Sequence, residues 1–228
     1  MIDLKEIVED PRIEKVLISL CSSAISLSKE ISLSDSTGNH RLLMGLNSDG
    51  DGQKQLDVIA DDIFCKSLKE AGVGFYASEE RETIETLKKS GDLGVAIDPL
   101  DGSSNIDCNV SIGTIFSIKE VNNKNHPKED FFILGDYLAS GYFIYGPQTL
   151  LVFTVGDGIL KFSLNVEDNK FVLVTSKLKI PEQTQEYAIN SSNSRYWPAP
   201  VRSYIEELLD GSSGQRKKNY NMRWVASL

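Results

Sequence analysis

The chain has 228 residues, 40% of them hydrophobic, and carries 24 Lys and Arg against 33 Asp and Glu, a formal net charge of -9. That length and apolar content support one large buried core, or one domain plus part of another. The acidic balance excludes a broad basic surface, so neither nucleic acid nor an anionic membrane is an expected partner.

The opening MIDLKEIVEDPR lacks the basic start of a secretion signal, and no uninterrupted apolar run reads as long enough to span a bilayer, so a soluble cytoplasmic protein is expected. Cys21, Cys65 and Cys108 are odd in number and share no Cys-x-x-Cys spacing, which points to reduced thiols rather than disulfides or zinc. Asp10-Pro11 is a helix start, and Ile13, Val16, Leu17, Leu20, Ala24 and Leu27 give the following helix one apolar face. Residues 32–53 are rich in Ser, Gly, Asn and Asp and read as loop, with brief order around Leu42–Leu46. A second helix is expected from about Leu56, burying Ile59, Ala60, Ile63, Phe64 and Leu68.

Val73–Ala77 and Leu93–Ile97 read as short strands that stop at the acids Glu79-Glu80 and Asp98. Between them, SEERETIETLKK can also be read as a capped helix entrance. GTIFSI, LASGYFIYG, TLLVFTVG, GILKFSL and KFVLVT are β-branched and aromatic segments punctuated by turn residues, the pattern of an antiparallel meander. After Pro181 the chain becomes polar, and a helix is expected over about Ala199–Leu209. The expected organisation is an α+β domain over 1–181 followed by the start of an α/β domain over 182–228. The apolar ending NMRWVASL reads as the opening of a further buried element, hence as an incomplete domain.

The chemistry concentrates in AIDPLDGSSNID, residues 96–107. Asp98 and Asp101 offer hard anionic oxygens, and the turn at Pro99 can present the Leu100 carbonyl to the same cation. Without a nearby His or Cys, the donors suit magnesium better than zinc. Gly102, Ser103 and Ser104 can cradle a phosphate with backbone N–H and hydroxyl donors, or can form an ordinary helix cap. Glu79 and Glu80 can reach a metal and a water, or face solvent. Asp51 and Asp57 lie in NSDGDGQKQLDV, which fails as an EF-hand because Val58 stands where the bidentate Glu is required. His40 and His126 sit among polar loop residues without a convincing partner. No G-x-S-x-G elbow supports a serine nucleophile, so attack by metal-activated water needs the fewest assumptions.

In chain order, GDGQKQLDV, ASEE, DPLDGSSNIDCNVSIGTIFSI, GYFIYGPQTLLV, YAINSSN and NMRWVASL resemble the class I fructose-1,6-bisphosphatases, within the wider magnesium-dependent, lithium-sensitive sugar phosphatases. The resemblance implies a layered architecture, an α+β domain followed by an α/β domain. It implies metal ligation, by Mg2+ or Mn2+, through Glu79, Asp98, Asp101 and the Leu100 carbonyl. Asp57 and Glu80 would orient or deprotonate the attacking water, with Asp51 joining from a mobile loop. Asp101, Gly102, Ser103, Ser104 and Asn190 would contact substrate, and Arg223 would reach a neighbouring subunit's sugar phosphate in a homo-oligomer, usually a tetramer. The implied reaction releases the 1-phosphate of fructose 1,6-bisphosphate. Sedoheptulose 1,7-bisphosphate is an alternative substrate, and a noncatalytic fragment acting through assembly is an alternative role.

Overall fold

The computed structural model describes residue 4, residue 7, and residues 8–33, 51–132, 135–210 and 221–222. Two compact units emerge from the contacts within the chain, Met1–Leu178 and Lys179–Leu228.

The first unit lays two helices against one sheet. Helix α1, Pro11–Leu33, begins as expected: Asp10 Oδ1 accepts the Arg12 N–H at 2.8 Å and proline occupies the first turn. Its buried side (Val16, Leu17, Leu20, Ala24, Leu27) packs on helix α2, Asp51–Ala71, through Leu56, Ala60, Phe64 and Leu68. By length and composition α1 could cross a bilayer, which corrects the sequence expectation. Here its apolar residues belong to the core shared with the sheet. Helix α2 starts earlier than expected, so Asp51 is its first residue rather than part of a loop, while Leu42–Leu46 and His40 lie outside the described residues.

The sheet has eight strands in the order β2-β1-β3-β4-β5-β6-β7-β8. They are β1 Phe75–Ser78, β2 Glu85–Thr86, β3 Leu93–Asp101, β4 Ile112–Glu120, β5 Tyr137–Tyr145, β6 Thr149–Thr154, β7 Leu160–Asn165 and β8 Lys170–Thr175. From β3 to β8 neighbouring strands run antiparallel, and β4–β8 form the expected meander. β1 and β3, in contrast, run parallel, paired from Phe75–Gly94 to Ser78–Ile97. Segment 79–90 is not a helix: a turn follows β1, and β2 returns antiparallel to it. Gly74 and Gly91 make this crossover possible, since a Cβ on Gly74 would stand 2.5 Å from the Gly91 carbonyl oxygen. A short helix α3, Pro127–Phe132, escaped the sequence reading because six residues carry too little periodicity.

β3 does not stop at Asp98. It continues through Pro99 to Asp101 as a bulge, with Asp98 opposite Ile115 and Asp101 opposite Gly113. Phe116, Phe143, Phe153, Phe162 and Phe171 fill the sheet's helix-covered side. The second unit contains β9, Glu186–Tyr187, paired in parallel with β10, Asn221–Met222, a 3-10 helix Ser191–Tyr196, and helix α4, Ala199–Asp210, close to its expected bounds.

Candidate active site

The parallel pair β1 and β3 decides where the acids meet. Parallel neighbours end on the same side, so the turn leaving β1 and the last residues of β3 share one rim of the sheet. Glu79 N donates to the Ile97 carbonyl at 3.1 Å, extending the ladder one step and bringing Glu79 alongside Asp98. Glu80 N then bonds Ser78 Oγ at 3.2 Å, and Arg81 N bonds the Ser78 carbonyl at 3.2 Å, closing a tight turn around the two glutamates. Helix α2 packs on β3 and on the 3-10 helix Ser103–Cys108, which puts Asp57 against this rim.

The carboxylates feel one another. Burial, Asp57, Glu79 and Asp98 together push the Glu80 carboxyl up to about 7. Asp98 is pushed up to about 6, chiefly by burial, then by Asp101, Glu79 and Asp57, while the Leu100 N–H opposes the rise. Asp57 is raised by burial and by Glu79, with the Ser103 hydroxyl pulling the other way. Burial and Glu79 also raise Asp101 against the opposing Gly102 N–H. Two oxygens, Asp57 Oδ1 and Asp101 Oδ2, are buried without a hydrogen-bond partner.

Such a set asks for a cation. Every donor is a hard oxygen, and unpaired buried carboxylate oxygens are costly unless something positive meets them. Among the described residues, no three His, Cys, Asp or Glu side chains are already gathered so that they could hold a metal ion. Like charges at close range disfavour each other's ionised form, and the Glu80 carboxyl shares a hydrogen bond with its neighbour Glu79. Hard oxygen donors of this kind suit Mg2+ or Mn2+ better than zinc, and Glu79, Asp98, Asp101 and the Leu100 carbonyl are the groups that would have to hold the ion.

Beside the acids the chain turns through Gly102, whose φ of 79° and ψ of 23° lie in the left-handed region. Ser103 and Ser104 open the 3-10 helix directly after it, and Asn105 Nδ2 is a buried donor without a partner. Asp51 heads α2, and its side chain is not among those described. Asn190 belongs to the second unit, where its Oδ1 accepts the Ser192 N–H at 3.1 Å and caps a 3-10 helix. Arg223 lies outside the described residues.

The sequence reading missed the cation that pins the acidic turn. Arg81 Nε donates to Asp61 Oδ2 at 2.6 Å, and its guanidinium also pairs with Glu85 and lies 5.3 Å from the Tyr76 ring centre. Tyr76 OH donates to the other oxygen, Asp61 Oδ1, at 2.8 Å. Asp61 stands one helical turn beyond Asp57, a spacing of four that could have marked it as part of the same face of α2.

A family model described as the N-terminal domain of fructose-1,6-bisphosphatase matches residues 6–176, and one described as its C-terminal domain matches residues 180–228. The chain belongs to the fructose-1,6-bisphosphatase family. It is 52% identical over 187 residues to the class 1 fructose-1,6-bisphosphatase of Paracoccus denitrificans, covering 81% of this chain and 56% of that one. A class 1 relative from Cereibacter sphaeroides is 46% identical over 217 residues, covering 95% and 65% respectively. The chain thus spans less than two thirds of the length of these curated relatives. Among solved structures, fructose-1,6-bisphosphatase of Leishmania major in holo form superposes with a TM-score of 0.83 at 28% identity, over 96% of this chain and 70% of that one. The α+β fold expected from the sequence is therefore that of known fructose-1,6-bisphosphatases.

Proposed function

We propose that the protein hydrolyses fructose 1,6-bisphosphate at its 1-phosphate, yielding fructose 6-phosphate and inorganic phosphate. One observation supports this reading most: five carboxylates, Asp57, Glu79, Glu80, Asp98 and Asp101, share one electrostatic environment beside a left-handed Gly102 turn. Relatives named fructose-1,6-bisphosphatase supply the substrate.

In this reading Glu79, Asp98, Asp101 and the Leu100 carbonyl hold Mg2+ or Mn2+. The bound metal supplies Lewis-acid activation of water and neutralises phosphoryl charge. Asp57 orients the attacking water and Glu80 takes its proton, with Asp51 assisting from the first turn of α2. Gly102, Ser103 and Ser104 donate to the phosphate oxygens and fix the line of attack, so that the phosphorus–oxygen bond to the sugar breaks opposite the incoming water. By the family resemblance Asn190 contacts substrate and Arg223 reaches the sugar phosphate of a neighbouring subunit, whereas residues 1–181 carry the metal chemistry. A soluble sugar bisphosphate suits a cytoplasmic protein, and resemblance to the family favours a homotetramer.

A phosphate-release assay with and without Mg2+ tests the reading. Release that requires the metal, and falls at least about a hundredfold in Asp98→Asn, is expected. Unchanged turnover in that variant overturns the site.

A further inference from the structure

The bulge in β3 sets Pro99 and Leu100 together opposite one residue of β4, Thr114, which has no solvent-exposed surface. Thr114 Oγ1 donates to the Pro99 carbonyl at 2.8 Å, and Tyr145 OH lies 2.8 Å from the same Oγ1. A threonine hydroxyl owns a single proton. With that proton given to Pro99, the remaining bond must be donated by Tyr145. Burial pushes the Tyr145 phenol up, so its proton stays in place to be donated.

The Pro99 carbonyl and the Leu100 N–H belong to one planar peptide unit. At its other end, that N–H donates to Asp98 Oδ1 at 3.2 Å. One rigid plane is therefore held by a buried hydroxyl on the sheet side and by the Asp98 carboxylate on the site side. Rotating it would break both bonds at once. The same plane fixes where the backbone enters Leu100.

We propose that Tyr145 and Thr114 are positioning residues: a two-hydroxyl relay that clamps the Pro99–Leu100 peptide and thereby aims Asp98 and the Leu100 carbonyl at the cation. The inference rests on the metal-binding reading of those two groups. It assigns roles to two residues that touch neither metal nor substrate.

Mn2+ binding to the 228-residue chain, followed by the electron paramagnetic resonance signal of the free ion, tests it alongside the metal-free melting temperature. Thr114→Val is expected to weaken Mn2+ binding by about tenfold or more, as loss of an outer partner of a metal ligand commonly does. Thr114→Ser, which keeps the hydroxyl, should stay within about twofold of the parent, and Tyr145→Phe should weaken binding by about threefold. Thr114→Val that melts lower yet binds Mn2+ as tightly as the parent overturns the relay, because the hydroxyl would then serve stability alone. Serine losing as much as valine also overturns it. Should Thr114→Val not fold, Tyr145→Phe decides, and unchanged affinity there sinks the proposal. A parent chain that binds no Mn2+ overturns the metal reading and this inference together.

Discussion

Asp57 Oδ1 and Asp101 Oδ2 hold lone pairs that no donor among the described residues meets. In the metal-free protein the crowded charge is a liability, since burial and Glu79 both oppose the ionised Asp57; Asp57→Asn removes that charge and should raise metal-free stability by about 1 kcal/mol while cutting Mg2+-dependent phosphate release by about a hundredfold or more. Urea unfolding and the phosphate assay read the two effects separately. Acidity gives a second expectation. Asp98 and Glu80 have carboxyls raised to about 6 and about 7, so the folded state holds protons that the unfolded chain has already released. Stability of the metal-free protein should therefore fall as pH rises from about 4 to about 7, and Asp98→Asn should flatten that slope. Excess Mg2+ should flatten it too, since the bound ion favours the ionised carboxylates; urea midpoints across this range check both. At this scale the sequence was a good guide to charge. Glu79, Glu80, Asp98 and Asp101 stood out because they abut apolar strands. Thr114 and Tyr145 did not, since a threonine and a tyrosine in β-rich segments look like ordinary strand residues until the register between β3 and β4 is known.

Among the elements, the turn after β1 depends on Arg81. Its guanidinium, with 19% of its side chain exposed, ties that turn to Asp61 on α2. Arg81→Ala would leave Asp61, only 7% exposed, with Tyr76 OH as its remaining described bond, at a cost of about 3 kcal/mol. Thermal unfolding should show this, and Arg81→Lys should recover only part of it because lysine lacks the planar fork. The helical alternative for SEERETIETLKK failed for a related reason. Capping acids favour a helix start locally, but Arg81 pairs with Asp61 on α2, and β2 satisfies its backbone against β1. β3 extended beyond its expected end because Thr114 satisfies the Pro99 carbonyl, a partner invisible in linear order. The meander β4–β8 was legible from its β-branched runs and turn residues, since neither depends on distant partners.

For the whole molecule, the run after β8 leads from the first unit, which ends at Leu178, into the second. Ile180 is 89% exposed, and its neighbours Lys177 and Lys179 stand in irregular, exposed chain. Brief trypsin treatment should cut after one of these lysines. The larger product is expected to keep an Mg2+-dependent rise in melting temperature, because every acid of the cluster precedes the cut. Loss of that rise would show that the second unit contributes to metal binding.

The parallel pairing of β1 with β3 has a bearing on protein engineering. Each contribution to the acidic rim comes from a different piece of chain: a helix, the exit of one strand, the kinked end of its neighbour, and a clamp from a third. Transplanting the AIDPLDGSSNID segment alone into another scaffold should therefore yield a peptide with charges but no function. A graft that keeps the rim needs at least the stretch from the start of α2 through β4, together with the strand that carries Tyr145 and the core-packing helix α1.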